Sequence, residues 1–177
     1  MVRAAEFSEA SLRKYPEWIV LIVTADDDGT INVMPAGWSM FASHDPPLYA
    51  VSVAPSRHTH RMLRAGGEFT VAFPGPDLAA AVRYCGTHSG CDVDKVCGAG
   101  LGVRSARRIG PPLLEGAVAN LECRLVSEHD AGDHTIFVGE VVAAHVDDQV
   151  QGRLLNFGPG LYALAQPVPG SELHFEP

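Results

Sequence analysis

A period of two runs through this chain and limits what it can become. "EWIVLIVT" (17–24) is an apolar run of strand length that leads into "ADDDGT", where Asp28-Gly29 is a hairpin signal. "TINVM" returns with Ile31 and Val33 on one face. "PLYAVSV" (47–53) sets Tyr49, Val51 and Val53 against Leu48, Ala50 and Ser52, and "EFTVAF" (68–73) aligns Phe69, Val71 and Phe73. "VANLECRLV" (118–126) opposes Ala119, Leu121, Cys123 and Leu125 to Asn120, Glu122 and Arg124. "HTIFVGEVVAAHV" (134–146) is apolar on both faces, as a doubly covered strand would be.

Helical signals are fewer. Phe7 and Leu12 give a weak amphipathic pattern that stops at Pro16, the pattern of a short docking helix. "THRMLRAGG" (59–67) reads as two turns ended by glycine. "DLAAAVRYCG" (77–86) reads as a helix with Asp77 as N-cap and Gly86 past its end. About six strands at hairpin spacing with short interposed helices predict an antiparallel barrel with peripheral helices, one β-rich domain over residues 1–177.

The charge balance limits the partners. A net charge of −8 with dispersed basic groups disfavours nucleic acid. The longest apolar run, Trp18–Val23, is too short to cross a bilayer, and the N-terminus lacks a signal peptide's apolar stretch. The expectation is a cytoplasmic, soluble protein whose cysteines 85, 91, 97 and 123 are thiols.

Four stretches carry chemistry. In "VSVAPSRHTHRML" (51–63) a strand ends in Ser56, Arg57 and Thr59 at a helix start. A hydroxyl cap, the unpaired N–H groups of a first helical turn and a guanidinium fork make a phosphate cradle. The same residues also suit a capped surface helix with solvated side chains. His58 and His60, two apart, point in nearly opposite directions on a helix, which argues against a shared metal. Cys85, Cys91 and Cys97, six apart with His88 between, lack the close pairs of closed zinc sites, and Cys123 reads as core. In "NVMPAGWSM" (32–40), Pro35, Ala36 and Gly37 expose backbone that a flat ligand could approach, with Trp38 as a wall; the alternative is a bulge whose tryptophan fills core. Asp133-His134 opens the last long strand, where the histidine can bond a ligand, transfer a proton or serve as a turn residue.

Taken in order, "NVMPAGWSM", "DPPLYAVSVAPSRHTH", "GEFTVAFPG", "CGTHSGCDVDK", "PPLLEGAVANLEC" and "AGDHTIFVGEV" resemble the flavin reductase-like family of FMN-binding split barrels, most closely its flavoredoxin-like branch. The resemblance implies a six-stranded Greek-key barrel that forms a homodimer with FMN near the interface. It implies that Ser56, Arg57 and Thr59 hold the FMN phosphate. Pro35, Ala36, Gly37 and Trp38 would lie along the isoalloxazine, and the backbone near Ser52 would face it. His134 would sit near the flavin edge, as the residue linked to pyridine-nucleotide use. Related sequences commonly read S-G-R-D-x-D-K-F where this one has Ser89 to Val96, so Cys91 replaces a cation and Val96 an aromatic. Lys95 remains as an anionic contact.

The activity so implied is an NAD(P)H-dependent flavin reductase, with NADH or NADPH as transient co-substrate. Free flavin, a ferric chelate, oxygen or a redox partner protein would be the acceptor. The alternative is a flavoredoxin-type electron carrier without direct NAD(P)H oxidation. The absence of a G-x-G-x-x-G signature agrees with a nucleotide that visits only over the flavin.

Overall fold

The computed structural model describes residues 2–158 and 160–164. Among the described residues twelve strands follow in chain order: β1 (Glu17–Trp18), β2 (Val20–Ala25), β3 (Ile31–Ala36), β4 (Ser39–His44), β5 (Pro47–Val53), β6 (Glu68–Pro74), β7 (Val103–Arg104), β8 (Leu113–Leu114), β9 (Ala117–Ala131), β10 (His134–Val146), β11 (Leu154–Asn156) and β12 (Tyr162–Leu164). The helices are α1 (Phe7–Ser11), α2 (His58–Gly66), α3 (Ala79–Thr87) and α4 (Lys95–Gly98).

The main sheet has seven strands in the order β3-β2-β6-β9-β10-β5-β4. Its two outermost strands, β3 and β4, are consecutive in sequence and joined by Gly37 and Trp38 alone. A link that short curls the sheet and keeps its two edges close without pairing them; Ser52 N–H donates to Trp38 O at 2.9 Å, carrying the β4–β5 ladder one residue into the link. The result is the antiparallel split barrel that the period-two pattern predicts.

The β2–β3 hairpin turns where Asp28-Gly29 stands. Gly29 takes φ +86°, and Thr30 N–H donates to the side chains of both Asp26 and Asp28. Helix α2 ends at Gly67 in the left-handed conformation, its N–H on Leu63 O.

Four expectations change. The seventh strand, β4, was not foreseen, because "SMFASH" is exposed or half-buried throughout and shows no apolar alternation. The strands covered on both faces are β2 and β6, not β10. Ile19, Leu21 and Val23 pack towards α3 while Val20 and Ile22 fill the barrel, whereas β10 buries one face through Thr135 and Phe137. Asp77 does not cap α3: a 3-10 turn over Pro76–Leu78 precedes it, and Leu78 holds the cap position. Gly86 lies inside α3.

The barrel interior is packed around Tyr49, Phe69, Phe137 and Cys123. Gly139 of β10 faces this core, and a Cβ there would stand 2.6 Å from Phe69 Cζ and 3.0 Å from Cys123 Cβ. Neither neighbour can retreat, since both are fully buried. Gly139→Ala should therefore cost about 1–3 kcal/mol through overpacking, read as a lowered urea midpoint. An unchanged midpoint would show that the ring can shift.

Candidate functional site

Where β3 passes into β4, the chain leaves a cavity of about 740 Å³. This lies within the range of small-molecule sites. Its floor is the end of β3 (Pro35, Ala36) and the link Gly37–Trp38; one side is the end of β5 (Ser52, Val53), and the far ends are Arg57 and His134. Residues from four separated stretches meet here because β5 pairs with both β4 and β10, which sets Ser52 opposite Ile136 and brings His134 to the same rim.

Trp38 is 54% exposed, so it does not fill core; it forms a wall. Its ring centroid lies 4.9 Å from that of His134, tilted by 41°. His134 Nδ1 stands 2.7 Å from Asp133 Oδ1. A carboxylate only accepts, so Nδ1 carries the proton and Nε2 is the nitrogen left for other work. The bond from His134, followed by its charge, holds the Asp133 carboxyl below the usual range.

Gly37 has a local reason to be glycine. A Cβ there would come within 2.5 Å of Glu17 Oε1. Glu17 also pairs with Lys14 and accepts from Asn156 Nδ2 at 3.1 Å. Lys14 Nζ lies 5.7 Å from the Trp38 ring centroid.

Seven of the residues singled out in the sequence line this cavity: Pro35, Ala36, Gly37, Trp38, Ser52, Arg57 and His134. Arg57 is exposed and has no side-chain partner among the described residues. Ser52 lines the cavity, and its N–H is taken by Trp38 O.

Three others are placed differently. Ser56 is exposed beside the rim and does not line it, and neither Ser56 nor Thr59 caps α2: the cap position is Arg57, without a side-chain bond. Thr59 is buried, and its hydroxyl accepts from Asn32 Nδ2 at 2.8 Å. Lys95 is buried behind β3, with Nζ donating to Val33 O at 2.8 Å and Cys85 O at 2.9 Å. Burial, opposed by Cys85 and reinforced by Arg57, pulls the Lys95 pKa down. Its ammonium holds α3 to β3 and does not line the cavity.

One wall has little local signature in the sequence. Phe7, Ser11, Leu12, Lys14 and Tyr15, from α1 and the 3-10 turn after it, cover one side of the cavity. The Phe7–Leu12 spacing was the available signal for a docked segment; nothing marked Lys14 or Tyr15. The four cysteines are free thiols, with Cys85 and Cys123 buried.

Comparison with known proteins points the same way as the cavity. The model of the flavin reductase like domain matches residues 12–165. An NADH-dependent flavin reductase of a Rhodococcus species is 30% identical over 78% of this chain and 75% of its own length. The crystal structure of an FMN-binding protein from Thermus thermophilus, with bound 1-cyclohex-2-enone, superposes with TM-score 0.82 at 32% identity, covering 100% of this chain and 99% of that one. A flavoredoxin from Methanosarcina acetivorans superposes with TM-score 0.82 at 27% identity, over 98% of this chain and 95% of its own.

Proposed function

Because the chain belongs to the flavin reductase like domain family, we propose that its cavity at the Gly37–Trp38 link holds FMN and that the protein is a cytoplasmic NAD(P)H-dependent flavin reductase. The observation that carries this reading is the convergence of Pro35–Trp38, Ser52, Arg57 and His134 on one cavity of suitable volume. When bound, FMN supplies the hydride chemistry, taking electrons from NADH or NADPH for an acceptor such as free flavin, a ferric chelate or a partner protein.

The residues fit such a group. Arg57, a cation with no ion pair among the described residues, is suited to the phosphate and is helped by the positive end of α2, with Ser56 beside it. Thr59 and Lys95 enter this reading as braces, holding α2 and α3 to β3 from behind. The flat backbone of Pro35–Gly37 suits an isoalloxazine, and Trp38 keeps water from one side. His134, oriented by Asp133 through Nδ1, has Nε2 available to hold or move a proton at the rim. A homodimer with the cavity near its interface belongs to the same proposal. It is supported by Trp38 and Met40, exposed apolar side chains that share a shallow hollow with Ile136 next to the cavity.

Anaerobic mixing of FMN-loaded protein with NADH, then NADPH, tests the reading through the visible absorbance of the flavin. Rapid bleaching by either donor is expected, slowed at least about tenfold in His134→Ala. Reduction by dithionite alone would favour the flavoredoxin-type electron carrier, and failure to retain FMN would remove the bound-cofactor claim.

A further inference from the structure

Away from the cavity rim, one pair of side chains has the geometry of an activated nucleophile. Cys91, exposed in the loop after α3, places Sγ 3.1 Å from Nδ1 of His58, the first residue of α2. Arg61 Nη2 lies 3.1 Å from the same nitrogen. A guanidinium only donates, so Nδ1 carries a lone pair and the ring proton sits on Nε2. The thiol hydrogen therefore points at this lone pair and shares it with Arg61 in a three-centre arrangement. Burial, then Arg61 and Lys95, lower the His58 pKa, so near neutral pH the ring is uncharged and its Nδ1 can accept a proton. Arg61 and the first turn of α2 lie beside the same pair.

Gly90 makes this contact possible. The point its Cβ would occupy lies against Asn32 Oδ1 and 3.1 Å from His58 Cδ2, so only glycine lets the loop lie flat on the ring. Asn32 is 1% exposed, and its Oδ1 has no hydrogen-bond partner, which leaves an unused acceptor beside the pair. Cys91 also lines a hollow of about 490 Å³ against the Gly29–Ile31 turn, open to small reagents.

We propose that Cys91 is a peroxide-reactive thiol with His58 as its base. The sulfur attacks one oxygen of a hydroperoxide as His58 Nδ1 takes the thiol proton. The S–O bond forms, the O–O bond breaks, and the departing hydroxide, or alkoxide from an organic hydroperoxide, receives the proton from His58. With hydrogen peroxide, thiol plus peroxide gives sulfenic acid plus water; sulfur is oxidised and peroxide oxygen reduced. Under the flavin reading, reduced flavin that meets oxygen would generate this oxidant within the same protein. The chemistry itself does not require flavin.

The test adds hydrogen peroxide directly, so a failed flavin reading leaves its outcome intact. Protein is oxidised in the presence of dimedone, which traps sulfenic acid, and each cysteine peptide is quantified by mass spectrometry. Cys97 is the internal control: it is exposed, and its Sγ has no hydrogen-bond partner among the described residues. Trapping at Cys91 is expected to exceed that at Cys97 by about tenfold or more. His58→Ala should bring Cys91 down to the Cys97 level while Cys97 stays unchanged, which also reports an intact fold. Equal trapping at the two cysteines in the natural protein, or a Cys91 signal indifferent to His58→Ala, overturns the proposal.

Discussion

Arg57→Ala is expected to weaken FMN binding by about 10- to 100-fold while leaving riboflavin, which lacks the phosphate, almost unaffected. A hydrogen bond to a charged group contributes about 1.5–3 kcal/mol, and each 1.4 kcal/mol is a factor of ten in affinity. Among the described residues the nearby cations are engaged elsewhere, Arg61 on His58 Nδ1. Lys14 is paired with Glu17, and Lys95 is buried with its ammonium on two backbone carbonyls. Quenching of flavin fluorescence during titration reads both ligands on one scale. Undiminished FMN affinity would remove the phosphate assignment. Equal losses for FMN and riboflavin would mean that the substitution had damaged the cavity instead.

The second large effect falls on stability, at a residue no functional argument touches. Glu122 of β9 is fully buried, and its carboxylate accepts from the N–H groups of Arg107 (2.8 Å) and Arg108 (2.6 Å) and lies 2.6 Å from His145 Nε2. It pins the loop before β8 to the outside of the barrel. Glu122→Ala leaves these donors without their acceptor, and a loss of about 3 kcal/mol is expected. Burial alone would raise the Glu122 pKa. The bonds from Arg107, His145 and Arg108 outweigh it, and the net shift is downward. A carboxyl depressed in the folded state contributes its full stabilisation above the unfolded value, near about 4.5, and loses it as pH falls through the folded one. The gap in urea midpoint between natural protein and Glu122→Ala should thus be widest near neutral pH and shrink in acid below about pH 4.5. A gap that widened on acidification would contradict this account.

Much of the barrel was readable because alternation and hairpin signals are local. Strand β5 and strand β10 fall where "PLYAVSV" and "HTIFVGEVVAAHV" put them, and α2 starts one residue early. What escaped was non-local. β4 has no alternation because both its faces are left open, and the burial of Glu122 and Asn120 depends on a loop folding over the face opposite the core. At the site, strand-end residues were legible, since a strand's direction fixes where its end points. Lys95 was not: its charge suggested an anion outside, yet the carbonyls of Val33 and Cys85 claim it from within. The covering segment from Phe7 to Tyr15 could not be placed by any local pattern, because docking is decided by the surface it meets.

The two-residue join between β3 and β4 has a consequence for folding. The cavity is a seam, assembled from both margins of the sheet, and it exists only while those margins are shut. No ladder crosses that seam: β3 pairs only with β2 and β4 only with β5, so the margins are held by the Gly37–Trp38 link and by packing. Any molecule held there binds the shut barrel and not the opened one, so occupancy draws the population towards closure by mass action. A ligand of this site is in that sense the clasp of the fold that makes it.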